Sequence, residues 1–158
     1  DLAGGRVTRH RQFVSFRLGS QEFAVEILQL RRVLPYAAPL PVAGAPAFVA
    51  GTLRHEGDIV AVLDLRGRLG LPASVTPETR LLVLDHGSVA VMLVVDAARE
   101  VVRVDGGSIV GAPEVVGLAP GQAVGLIARP GRPIVILNPA RLLSADERAA
   151  LDLLVLPS

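Results

Sequence analysis

The feature that most constrains this chain is that it nearly repeats itself. Laying Gly19 on Gly87 places FVSFRLGSQEFAVEILQLRRVL over LLVLDHGSVAVMLVVDAAREVV without a gap, with Ser20 on Ser88, Arg31 on Arg99 and Val33 on Val101. Laying Gly57 on Gly131 places GTLRHEGDIVAVLDLRGRL over GLIARPGRPIVILNPARLL, with Gly51 on Gly125, Leu63 on Leu137 and Asp64 on Asn138. Each half reads as hairpin, loop, hairpin, short helix, so a fold that suits one half must suit the other. Glycine-anchored turns in the same order twice over are hard to obtain from a valine-rich composition alone.

Alternation and turn chemistry locate the hairpins. Residues 13–18 and 21–27 flank Gly19-Ser20, and residues 49–53 and 59–63 flank the polar run Arg54-His55-Glu56-Gly57-Asp58. In the second half, residues 80–85 and 89–96 flank His86-Gly87-Ser88. Residues 123–128 and 133–137 flank Arg129-Pro130-Gly131-Arg132, whose Pro-Gly pair suits a type II turn. Residues 100–104 add a further strand, for about eight strand candidates in all. Periodicity leaves residues 28–34 open between a helical turn and an irregular strand. Prolines 35, 39, 41 and 46 predict an extended surface loop, and the Gly/Pro-rich run 106–122 matches no regular element. Asp64 is placed to cap a short helix over residues 65–69, and Asn138-Pro139 is an N-cap with proline at the first helical position. Ser144-Ala145-Asp146-Glu147 is a capping box opening an amphipathic helix that carries Leu151 and Leu154. Short strands in two similar sets predict two similar small β-barrels packed on each other, because closure removes exposed edges.

Composition narrows the chemistry. At 158 residues the chain suits one sizeable core or two small barrels sharing one, and not two independent enzyme domains. Apolar residues make up 51% but aromatics only 3%, so the core must be Val, Leu, Ile and Ala. There is no cysteine, hence no disulfide framework, thiolate metal site or thiol nucleophile. All 16 basic residues are arginine, which excludes P-loop and Schiff-base lysines. No run is long enough for a membrane helix and the N-terminus has no apolar signal segment, so a soluble, cytoplasmic protein without direct membrane insertion is expected. Arg6, Arg9 and Arg11 cluster around His10 without interleaved aromatics, which reads as a solvated terminus and not a nucleic-acid arm.

In order and spacing, several segments resemble the CheW family of chemosensory coupling proteins. They are FVSFRLGSQEFAVEI, the proline-spaced loop ending in Pro46-Ala47-Phe48-Val49-Ala50-Gly51, Gly57 with IVAVLDLRGRLG, VAVMLVVDAAREVV, and AVGLIARPGRPIVILNPARLLS. The resemblance implies a mostly β protein of two similar five-stranded SH3-like barrels, with short helices and a C-terminal helix. Residues 1–12 form a flexible arm in this reading and 13–154 a single domain, with halves 13–72 and 80–144 and a tail 155–158. It implies a non-catalytic adaptor, without cofactor, that joins the regulatory domain of a CheA-type histidine kinase to the cytoplasmic tail of a chemoreceptor, or equally a regulatory module of the kind found inside such kinases.

Departures from the family pattern point to a site. Where the family usually carries Asn-Leu-Arg-Gly, this chain has Arg54-His55-Glu56-Gly57, and the usual strand proline is Ala61. Where the family typically has Val-x-Glu-Ile, this chain has Leu30-Arg31-Arg32-Val33. Both signs are reversed, so Arg32 and Glu56 are expected to pair with swapped polarity on a partner-facing surface that includes Arg54, His55, Gly57 and Asp58. Such a surface would meet like charges on a conventional partner, which suggests a dedicated system. His55 beside Glu56 could also be an acid–base site, but a solvated hairpin tip is commoner and no nucleophile or oxyanion donor lies nearby in sequence. His10, His55 and His86 have no metal-ligand spacing, and Asp64 and Asp96 read as strand-end caps. A small-ligand barrel would need inward polar groups, and few candidates exist.

Overall fold

The computed structural model describes residues 10–155. Among them eleven strands and one α-helix follow in order: β1 (His10–Leu18), β2 (Gln21–Glu26), β3 (Leu30–Pro35), β4 (Val49–His55), β5 (Asp58–Leu63), β6 (Arg80–His86), β7 (Val89–Val95), β8 (Ala97–Asp105), β9 (Ile109–Val110), β10 (Ala123–Ile127), β11 (Ile134–Leu137) and α1 (Ala145–Val155). The mostly β architecture, the four hairpins and the C-terminal helix are those expected. The capping box is formed: the Ser144 hydroxyl accepts from the Glu147 N–H at 3.0 Å, and Glu147 accepts from the Ser144 N–H at 2.9 Å.

The strands make two sheets, one ordered β8-β1-β2-β11-β10-β9 and one ordered β3-β6-β7-β5-β4. These are a six-stranded and a five-stranded sheet with unpaired outer strands, where two closed five-stranded barrels were expected. Each sheet takes strands from both halves, so 13–72 and 80–144 are units of sequence repetition and not of strand pairing. The orders are nonetheless the same under the repeat: β1, β2, β8, β10 and β11 occupy the places of β6, β7, β3, β4 and β5. Parallel pairing joins the hairpins in both, Val135 opposite Phe23 in one sheet and Val62 opposite Met92 in the other.

The exchange has a local cause. An antiparallel reversal needs about two turn residues, but Asp96 alone separates β7 from β8. The chain cannot fold back there, so β8 leaves its hairpin and pairs with β1. At the equivalent place in the first half, a single 3-10 turn over Ile27–Gln29 carries the chain from β2 into β3, which pairs with β6. That turn and strand decide residues 28–34, which periodicity left open.

Strand alternation then divides the core. Leu81 and Val83 pack with Val60, Val62, Met92 and Val94 inside the curl of the five-stranded sheet. Leu82 and Leu84 point the other way, into the cluster shared by both sheets, with Phe16, Phe23, Leu63 and Leu137. Phe13, Ala24, Ile127, Ile134 and Ile136 fill the curl of the six-stranded sheet. The bulges repeat too: β4 slips register between Val49 and Gly51, and β10 between Ala123 and Gly125. Beside each bulge another segment crosses, β9 over β10 and Leu40 over β4, where Leu40 and Thr52 exchange two 2.9 Å hydrogen bonds.

Three expectations change in detail. β1 already begins at His10, so positions 10–12 of the expected arm are strand; the rest of the arm, with Arg6 and Arg9, lies outside the described residues, as do positions 156–158 of the tail. Val155 closes α1. Residues 65–69 form no helix. Leu69 donates to the Leu65 carbonyl, but Leu71 then reaches back to Arg66 at 2.8 Å and winds the chain into consecutive turns. No helix among the described residues is long and apolar enough to cross a membrane.

Candidate functional site

The expected surface gathers at one end of the five-stranded sheet. His55 and Asp58 face each other as the last pair of β4 and β5, leaving Glu56 and Gly57 as a two-residue turn. Both have positive φ, 51° and 85°, the pattern of a type I′ turn. Glycine takes this conformation freely, whereas the left-handed region costs a residue such as Glu56 about 1–2 kcal/mol. The side chain that bears this strain reaches Arg32, with Oε2 at 3.7 Å from Nη1, and His55, with Oε1 at 3.8 Å from Nε2. Arg32 and Glu56 stand 61% and 70% exposed, so their attraction is worth only ~0–1 kcal/mol.

The position of that pair is more telling than its strength. β3 and β4 are the two outer strands of the sheet and share no backbone pairing. Curling brings these edges together, and Arg32 with Glu56 bridges the seam. Arg54 and Asp58 flank the tip and are exposed, while the His55 side chain is only 16% exposed. All six expected residues thus lie on or beside one hairpin tip. Strain without compensating stabilisation gives a test: Glu56→Asn, which tolerates positive φ, should raise unfolding stability by up to about 1 kcal/mol even though the ion pair is lost. Equilibrium urea unfolding would show it, and a loss of stability would mean that the pair outweighs the strain.

Next to the tip is a cleft of about 270 Å³, lined by His55, Glu56, Asp58, Ile59, Val89 and, from α1, Arg148 and Asp152. Ile59 and Val89 are about half exposed, at 50% and 45%. Arg31, also at its rim, is held by Asp85. His55 and Glu56 are too far apart for a hydrogen bond, and no three His, Asp or Glu among the described residues gather as a metal site.

One interaction escaped the sequence reading. Arg66 is buried, 2% exposed, between the two aspartates that read as separate caps. Its Nε and Nη2 donate to the Asp64 carboxylate at 3.0 and 2.9 Å, and Nη1 donates to Asp96 and to the Ser74 carbonyl, each at 2.7 Å. Asp96 also accepts the Gly19 N–H at 2.6 Å, so the network runs from the end of β5 through the β7–β8 link to the β1–β2 tip on the other sheet. The hydrogen bond to Asp64, above all, raises the Arg66 pKa against the opposing effect of burial. Capping is present as well, since Asp64 accepts the Arg66 N–H at 3.0 Å. The sequence signal was the Asp-Leu-Arg spacing, which returns a side chain two residues on to the carboxylate that precedes it.

The CheW-like domain family model matches residues 12–147. The chain belongs to the CheW-like domain family. Among its relatives in that family, the chemotaxis protein CheW of Klebsiella aerogenes is 32% identical over 153 residues, covering 96% of this chain and 91% of that protein. Protein FrzA of Myxococcus xanthus is 28% identical over 143 residues, covering 89% of each. The crystal structure of the scaffolding protein TtCheW from Thermoanaerobacter tengcongensis superposes with a TM-score of 0.78 over 88% of this chain and 96% of that one, at 22% identity. That likeness shows the fold. The CheW-like fold of this chain is therefore the paired-sheet arrangement described above, with Arg32 and Glu56 across the seam of one sheet.

Proposed function

We propose that this chain is a non-catalytic docking adaptor of a chemosensory pathway, which couples the regulatory domain of a CheA-type histidine kinase to the cytoplasmic tail of a chemoreceptor. The relatives it resembles along most of its length include chemotaxis proteins, and a solved structure with its fold is a scaffolding protein. The site residues support a docking role. The Arg32–Glu56 pair adds little stability, sits on a strained turn and is exposed beside a half-apolar cleft, which is what a recognition surface and not a structural tip requires.

Polarity favours one refinement, that the partners are dedicated ones. Family members usually carry the acid where this chain has Arg32 and the arginine where it has Glu56, so a conventional partner would meet like charges. Rim charges act mainly through association rate and partner choice. The double exchange Arg32→Glu with Glu56→Arg should therefore strengthen binding to a conventional CheA-type regulatory domain by about tenfold, corresponding to ~1.4 kcal/mol, with association slowing as salt is raised. Surface plasmon resonance against that domain measures it; unchanged binding would remove the charge reversal from partner choice. A small-ligand barrel is the weaker reading, because the curl of each sheet is filled by its own side chains, Phe13 and Ile127 in one and Leu81 and Met92 in the other.

A further inference from the structure

The proposed docking cleft has one wall supplied by α1, and α1 is lightly held. Leu151 is its one fully buried residue, while Leu153 and Leu154 are exposed. Beyond Leu151, the contact that stands out is His86, the last residue of β6. Its Nε2–H donates to the Leu143 carbonyl at 3.1 Å, immediately before the helix cap, and its Nδ1 lies 3.2 Å from Arg148 Nη2 in the first turns of the helix. A guanidinium only donates, so Nδ1 must accept and the ring must be neutral, with its proton on Nε2. Arg148 itself has a buried Nε without a hydrogen-bond partner and a distant contact to Asp152 at 3.9 Å.

We propose that His86 is an acid-sensitive latch that positions α1 and, through Arg148 and Asp152, one wall of the cleft beside Glu56. A second proton on the ring would have to go on Nδ1, turning the acceptor into a donor directed at a cation. The Arg148 hydrogen bond is then lost and replaced by repulsion, while the orphaned Nε offers no second anchor. The other charges around the ring are committed: Asp85 on its own strand to Arg31 of β3, and Glu147 on α1 to the Ser144 N–H and, at 4.0 Å, to Arg68. Asp152 is the anion able to take over Arg148 when the histidine releases it. The regulatory meaning rests on the docking reading above, but the latch itself needs no partner and is tested without one.

Amide hydrogen exchange on the whole chain, corrected for intrinsic rates, reads it out. As the pH is lowered stepwise from about 8 to about 5, protection of the α1 amides should fall about tenfold, the worth of a hydrogen bond to a charged group. The β6 and β7 amides should keep theirs. In His86→Gln the amide oxygen still accepts from Arg148 and the amide nitrogen still donates to Leu143, so α1 should lose the pH response while remaining docked. His55→Gln, beside the same cleft, should retain it. Nitrogen shifts of His86 at the alkaline end should show the proton on Nε2. A wild-type α1 indifferent to pH, an equal response in His86→Gln, or a proton on Nδ1 overturns the latch. The charge exchange at Arg32 and Glu56 tests the docking reading separately.

Discussion

Replacing Arg66 with methionine should destabilise the protein by about 3–5 kcal/mol, the cost of leaving a buried charge without its partner. For a domain whose whole stability is about 5–15 kcal/mol, that is a large share. The reason is geometric. Arg66 donates four hydrogen bonds to two carboxylates and a carbonyl, and its removal leaves Asp64 and Asp96, only 20% and 14% exposed, without the cation between them. Arg66→Lys should be intermediate, because an ammonium keeps the charge but cannot reproduce the two-pronged contact with Asp64. Adding Asp64→Asn and Asp96→Asn to the methionine variant should recover a substantial part of the loss, since no uncompensated charge then remains. Because the folded-state pKa of Arg66 is raised, the contribution of its charge is complete at neutral pH and on the alkaline side is lost only beyond the ordinary guanidinium range. Urea unfolding of the four proteins decides the matter; a loss below about 1 kcal/mol in the methionine variant would show the network to be dispensable.

Gly51→Ala, near the start of β4, should be more damaging than Gly57→Ala at the tip of the same hairpin, at about 3 kcal/mol or more. A Cβ there would lie 2.1 Å from the Leu40 carbonyl oxygen, and backbone, unlike a flexible side chain, cannot yield. The loop and β4 would have to part, breaking the two Leu40–Thr52 hydrogen bonds. Gly57→Ala is the control: φ is positive there too, but nothing lies within 4 Å of the added carbon, so only the backbone term of about 1–2 kcal/mol applies. Thermal unfolding should lower the Gly51→Ala midpoint by roughly 6–12 °C and the Gly57→Ala midpoint by about one third to two thirds as much. Equal shifts would mean that the loop does not depend on this close approach.

The residues say plainly which parts of this fold are local. Gly19-Ser20, Glu56-Gly57, Gly87-Ser88 and Pro130-Gly131 each mark a hairpin, and Ser144 with Glu147 marks the helix start, because neighbours in sequence make those contacts. Pairings that join distant segments left no such mark. Nothing in the alternation of residues 21–26 tells β2 to lie parallel to β11, and the one-residue link at Asp96, which forces the exchange, reads as an ordinary strand end. Arg66 was hidden for a related reason: an arginine in a polar turn normally points outward, and only the convergence of Asp64 and Asp96 in space turns it inward. The Arg32–Glu56 contact was legible from family position and not from spacing, since it depends on two sheet edges curling together.

The exchange of hairpins between the two sheets also orders events in time. β1 and β2 are made first, yet the strands they pair with, β8 and β11, end at Asp105 and Leu137. At synthesis rates of about 5–20 residues per second, the first hairpin waits on the order of ten seconds for its sheet. Throughout that interval Phe13, fully buried in the finished molecule, lacks Val102, Ile127, Ile134 and Ile136, and Phe16 and Phe23 lack the Val135 and Leu137 side of their core. The nascent amino-terminal hairpin is therefore the segment most in need of shelter by the ribosome or a chaperone, and the last strand to emerge completes the six-stranded sheet.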